Sequence, residues 1–574
     1  MTRCSPWARL SGARLSRVRL LSSFLVCLTA ASAFPAHAER PRVYAITKAR
    51  VIVAPDKIVP DGTVVLRDGL IEAAGRGVDV PPDAYVLEAA GRTVTAGFID
   101  ACSDIGQKRV ETPPAQQGGP GRQQAPEQPA GTAHPIVRVR AERRVADGLV
   151  ADGSGFEKHR AMGFTTALSL PADGIFRGQP AVLNLGAGAP SANLVTASAG
   201  QVVAFESGNF GQPYPTSLMG SISVIRQTLL DARRQDVWQA RYASDPAGIQ
   251  RPASVASLDA LAGPASGRGR VFFDVPDSAN VLRALSITRE FALDGVVIAS
   301  GLENAQHGAI TALAAAGRPV ILPLAYPEKP KVSDPDEALL VTTRDLERWD
   351  MAPANPAALE QAGVAFALGT CRAPSAGEFP ARLRKAMERG LTAQTALAAL
   401  TTNAARTLGL ERTLGTLEPG KIANLVVWDG APESGDGVFN EKAKPVHVFV
   451  DGIKHDIEQK ASKGDPNARI DPRGTWSITL TIGGRAISRT WTITGHEGDY
   501  AGTAETQRGT VAFTSVKVVG NEMTVVLPGE GSRPSQEISV IVTGEEMEGS
   551  GEFPGGGPYT VKGTRTAGPE GGSL

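Results

Sequence analysis

Residues 93–106 read TVTAGFIDACSDIG, and three side chains in that run could do chemistry. Asp100, Cys102 and Asp104 stand at alternate positions where an apolar run over 94–99 gives out. Alternation along a strand sets all three on one face. At the mouth of a parallel barrel, such a face is where reacting groups collect. Two carboxylates and a thiol are metal-binding types, yet the run contains no histidine.

The segment resembles the first barrel strand of the amidohydrolase superfamily, P-G-hydrophobic-I-D-x-H-x-H, with Ala96 at the proline and Cys102 and Asp104 at the two histidines. Further along, residues 414–426 (LGTLEPGKIANLV) resemble the family's C-terminal G-x-L-x-x-G-K-x-A-D-L-V run, with Asn424 at the usual aspartate. The sequence VAFALGTCRAP resembles the strand-eight G-T-D motif, with Cys371 at the aspartate. RVFFDVPD aligns with the strand-five histidine segment and DGVVIASGL with that of strand six, placing Asp274 and Ser300 at the ligand positions. No strand-four ligand can be assigned. The branch it resembles is the imidazolonepropionase-like group.

That resemblance implies one or two divalent metals at the strand ends. The metal lowers the pKa of a bound water, which an aspartate helps deprotonate for attack on an amide-type carbon. Here every alignable ligand position, Cys102, Asp104, Asp274, Ser300 and Cys371, has changed type. Three readings follow. Strands one and eight are neighbours in a closed barrel, so Cys102 and Cys371 are placed to form a disulfide. Alternatively, Cys102, Asp104, Asp274 and Cys371 supply an S2O2 set for zinc. In the third, the thiols are free and without a role. No metal is favoured.

Elements able to position these groups can be read between them. Apolar runs at 163–170, 271–274, 294–300, 319–323 and 363–370 read as strands, with helices at 218–243 and 393–408 among those intervening. The expected fold is α/β: a (β/α)8 TIM-like barrel over 94–412, preceded and followed by segments 39–93 and 413–456 that share one β-sandwich. Residues 208–269 are the hardest to divide into elements. A Pro/Gly/Gln-rich insert at 107–133 reads as disordered. Residues 470–566 alternate as an all-β accessory domain, a sandwich or a lipocalin-like barrel, in which Arg565 would stack on Trp476; a disordered tail follows at 567–574. His134, His159, His447, His455 and His496 read as surface or loop histidines, and only His307 lies near enough to the site to matter. Phe98, residues 178–180 and residues 214–219 are candidates for pocket walls, or for packing and turns.

The chain has 574 residues with 59 basic and 59 acidic side chains, which gives no reason to invoke nucleic acid. Arginines at 3, 9, 14, 17 and 19, an apolar run at 20–34 and Ala36-His37-Ala38 read as a signal peptide cleaved after Ala38. A membrane anchor and a lipid-modified Cys27 are weaker readings. The mature chain is thus expected to be periplasmic or extracellular, with no membrane span, and to keep only Cys102 and Cys371 in an oxidising compartment.

The implied activity is hydrolysis of non-peptide C–N bonds in cyclic amides or dipeptide-like molecules. The residues argue that this activity is weakened or lost, as in a pseudoenzyme. The alternative is a non-catalytic binding or partner subunit stapled by Cys102–Cys371. The partners are then a small molecule or an intact amidohydrolase homologue, and self-association is compatible with either.

Overall fold

The structure, a computed structural model, describes residues 42–108, 133–208, 214–303, 308–332, 335–432, 435–457, 468, 470–482, 485–496, 499–506, 509–528, 536–553 and 557–568. The segment read above as a signal peptide, with Ala38 and Cys27, most of the 107–133 insert, His307 and the end of the tail lie outside them.

Strands from both flanks of the chain share one eight-stranded sheet. Val43–Ala54 pairs with Lys57–Arg67 on one edge and with Tyr85–Glu88 and Thr93–Ala96 on the other. Leu425–Asp429 then adds antiparallel to Thr93–Ala96, followed by Lys444–Val450 and Ile453–Asp456. Ile46, Val51, Leu66, Val94, Leu425 and Phe449 form its buried core.

At Gly97 the chain leaves this sheet and enters the barrel as Phe98–Ser103. A Cβ at Gly97 would collide with the Thr165 side chain, so the close approach of these two backbones requires glycine. The run expected at 94–99 as one strand is therefore two strands in two different sheets.

The barrel strands are Phe98–Ser103, Phe164–Ser169, Gln201–Ala204, Arg270–Asp274, Asp294–Ile298, Val320–Pro323 and Phe366–Gly369. The first two pair in parallel, as do the last five in succession. Between the two arcs runs a chain in the opposite direction. Its Ala181–Asn184 half pairs antiparallel with Phe164–Ser169, and its Phe176–Gly178 half with Gln201–Ala204. Among the described residues the regular eightfold parallel repeat is thus not formed: seven parallel strands and one reversed chain surround the axis.

The sides of these strands follow the two-residue period. Leu168, Val202, Phe272, Val296, Ile298, Ile321 and Ala367 fill the interior with Ile99, Ala101 and Cys102. Phe164, Val203, Phe273, Val297, Val320 and Phe366 face the helices. Asp152, Ser217 and Asp277 cap helices Gly153–Arg160, Leu218–Ser244 and Ser278–Glu290 by accepting a backbone N–H, which fixes where each helix starts. The helix expected at 393–408 is two helices, Ala393–Leu400 and Thr402–Leu408, broken at Thr401.

The C-terminal segment is a second barrel. From Gly474–Ile482 to Gly557–Ala567 each antiparallel strand adds to its predecessor, apart from the short Gly509–Ala512 at one edge, and the last strand pairs with the first. Asp499–Thr506, Gly509–Ala512 and Glu546–Phe553 are among its strands. Trp476, Met523, Val540, Met547 and Val561 fill the interior. The Trp476 indole donates to Pro472 O at 2.9 Å, and the Arg565 guanidinium lies 4.5 Å above its ring. No helix among the described residues is long and apolar enough to cross a membrane.

Candidate functional site

Cys102 and Cys371 are joined in a disulfide with a Cα separation of 5.2 Å. It sits on the seam where the first parallel strand meets the last. Main-chain N–H groups of Thr370 and Cys371 both donate to Cys102 O, at 3.0 and 2.8 Å. The link spans 269 positions of sequence; a loop of that size is worth about 5 kcal/mol on the chain-entropy estimate.

A buried carboxylate locks the same seam. Asp100 is fully buried and accepts the N–H of Cys102 at 3.2 Å and that of Thr370 at 3.0 Å. Its other oxygen accepts the Thr370 hydroxyl at 2.6 Å. His159 Nε2 lies 3.5 Å from that oxygen, while its Nδ1 is 2.9 Å from Gly155 O. Desolvation lowers the imidazole's proton affinity, but Asp100 outweighs it and the pKa is raised. With Nδ1–H donated to Gly155 O, protonation of Nε2 gives Asp100 a cationic neighbour. His159 is therefore no surface histidine, as its sequence context suggested: it is 7% exposed. The readable signal was its place on the buried side of a short helix, three residues after Phe156.

Asp104 lies beyond the strand end and is exposed, whereas Asp100 and Cys102 are buried. Register shifts between Asp100 and Ser103 break the simple alternation expected there. The predicted single face therefore divides: Asp100 serves the seam, Cys102 the disulfide, and Asp104 the wall of the mouth.

Asp274 ends its strand two residues past the inward-facing Phe272, as expected, and is enclosed by cations. Arg177 contacts one carboxylate oxygen and Arg372 the other. Arg177 also lies 3.5 Å from Glu206, whose closer partner is Arg138 at 2.7 Å. Burial, with Arg177 beside it, draws the Arg372 guanidinium down to about 10, and it stays charged at neutral pH. Burial likewise lowers Arg177. Ser300 Oγ is 3.4 Å from Arg372 Nη1. Glu206 lies two residues beyond strand Gln201–Ala204.

Cys102, Asp104, His159, Arg177, Asp274, Cys371 and Arg372 are among the residues that line a cavity of about 1000 Å³. Phe98 is elsewhere: it packs against Trp428 and Phe439 beside a small cavity of about 90 Å³. Gln179 and Pro180 continue the reversed chain, and Tyr214 and Met219 are exposed.

Residues 329–454 match the amidohydrolase family. The matched segment holds Cys371 and Arg372 and the C-terminal strands of the shared sheet. An amidohydrolase from Thermotoga maritima is 22% identical over 72% of this chain and 100% of its own, with a TM-score of 0.57, so the fold is shared. A prolidase complexed with N-methylphosphonate-L-proline (14% identity, 72% and 100% covered, TM-score 0.42) and molinate hydrolase (15%, 74% and 100%, 0.41) are more distant. No curated protein matches.

Metals such as zinc are usual in this family, and the donor set can be tested against one. A disulfide sulfur is no thiolate ligand. Both oxygens of Asp274 are engaged by guanidinium groups. Among the described residues no three His, Cys, Asp or Glu side chains group as a metal site. The S2O2 set read from the sequence does not fit a metal while the sulfurs are joined.

Proposed function

We propose that this chain is an exported homologue of the imidazolonepropionase-like branch whose mouth binds a small molecule, with the branch's hydrolysis of non-peptide C–N bonds weakened or lost. One observation carries the reading: the two positions that would supply ligands from strands one and eight are bonded to each other, Cys102 to Cys371. A water held at this mouth would have neither a metal to lower its pKa nor a strand-eight carboxylate to take its proton.

What remains is a wide cavity with a fixed rim. The disulfide, Asp100 and Thr370 hold the rim in one arrangement, which suits binding because little order is lost when a ligand arrives. Partnership with an intact amidohydrolase is the second reading, and co-purification would favour it.

The test is turnover. Cyclic amides and acylated dipeptides are incubated with the oxidised protein, with and without added zinc. The reading expects no zinc-dependent release of amine or acid. Zinc-dependent turnover abolished by a chelator would overturn it.

A further inference from the structure

We propose that Arg177 and Arg372 form an anion seat in the wall of the mouth, and that it takes the carboxylate of a small monoanionic acid such as an acylated amino acid or dipeptide. This rests on the binding reading above and names the ligand class for that same cavity.

The placement comes first. Arg177 belongs to the reversed chain at Phe176–Gly178, and Arg372 follows the disulfide. The two approach Asp274 from different parts of the ring and meet on its two oxygens. All three side chains line the cavity of about 1000 Å³, with exposures of 17%, 27% and 13%. They are neither sealed in the core nor free in solvent.

The charges do not balance. Lys108, Lys158, Arg177 and Arg372 line the cavity with only three carboxylates, Asp104, Asp152 and Asp274. One positive charge is left over in a partly desolvated place, where a counter-charge is worth more than in water. Burial first, and the neighbouring Arg177 after it, depress the Arg372 pKa. A single surplus charge fits a monoanion better than a phosphate dianion. The guanidinium fork also matches the two oxygens of a carboxylate.

Arg372 is held there against its backbone preference. Its φ is 63°, in the left-handed region that a non-glycine residue seldom adopts. The preceding residue is pinned twice, by the Cys102–Cys371 bond and by the Cys371 N–H to Cys102 O. Such conformations concentrate at ligand clamps. The disulfide thus aims the arginine as well as closing the seam, and the side chain it aims ends where the lost metal chemistry would have been.

Isothermal titration of the full oxidised protein tests this with acetate, N-acetylglycine and N-acetyl-alanyl-alanine, each against its neutral amide, and with inorganic phosphate. At least one acid should bind, with its amide weaker by roughly tenfold or more, as loss of a charge-assisted pair implies. Arg372→Gln should remove that preference, and Arg372→Lys should retain part of it. Asp274→Asn should tighten acid binding, because it removes the competing carboxylate; a purely structural role for the cluster predicts no gain. Circular dichroism establishes that each variant is folded, and if Asp274→Asn is not, the Arg372 pair decides. Equal affinity for acids and amides, no binding of any acid up to millimolar concentration, or tighter binding of phosphate would each overturn the seat. Zinc-dependent turnover with the acid preference intact would instead remove the loss of hydrolysis and leave the seat standing.

Discussion

The chain closes two barrels, and it closes them differently. In the second, the first and last strands share a ladder running from Ile482 opposite Tyr559 to Thr475 opposite Ala567. Its interior is filled by apolar chains around Trp476. In the first, among the described residues, strands Phe98–Ser103 and Phe366–Gly369 share no ladder. Their seam is held by two N–H groups on Cys102 O, by Asp100 and by a disulfide. A barrel that is full can be closed by hydrogen bonds and packing. One that keeps an open polar mouth has fewer apolar contacts near its rim, and here a covalent bond supplies the closure.

Variants can break that contrast. The largest effect is expected at the disulfide. Cys371→Ser, or reduction, should destabilise the parallel barrel by up to about 5 kcal/mol, read from denaturant unfolding with and without reductant. An unchanged midpoint would show that the bond closes nothing. Next, Trp476→Ala should cost about 4 kcal/mol in the second barrel while leaving Cys102 and Cys371 joined; loss of the Cys102–Cys371 bond in that variant would mean that the two closures are not independent.

Asp100→Asn should cost about 3 kcal/mol, because it leaves His159 without its counter-charge and weakens the hydrogen bonds to Thr370. Matching stability of variant and wild type would remove Asp100 from the seam. The smallest effect is the pH dependence of His159. Its folded pKa is raised above the ordinary value of about 6.5. The ion pair's contribution is therefore complete below that value and disappears as pH rises through the folded value. The stability lost in His159→Gln should accordingly shrink from mildly acidic to alkaline pH. A difference that grows with pH would contradict the imidazolium.

The parts that were legible in the sequence share a cause. Barrel strands with inward and outward apolar faces, such as Arg270–Asp274, announce themselves because burial on both sides demands continuous apolar runs. The pairing of Cys102 with Cys371 was open to the sequence as one of three readings, because strands one and eight must be neighbours in any closed barrel. The Arg565–Trp476 stack was likewise readable from the residues at the ends of the accessory segment. The reversed chain through Phe176 and Asn184 was missed: its halves are too short to show a period, and they pair with different strands. Missing it concealed Arg177, and with Arg177 the real environment of Asp274. His159 was missed because a lone histidine before a strand carries no sign of the carboxylate it meets 59 residues away. The bulge near Cys102 concealed the parting of Asp100 from Asp104.

The account depends most on the state of two sulfurs. Peptide mapping by mass spectrometry, combined with metal analysis of the same purified sample, tests it directly. The reading proposed above expects a Cys102–Cys371 linked peptide, neither of these two cysteines as a free thiol, and no stoichiometric transition metal. Two free thiols together with one tightly held zinc per chain would contradict it.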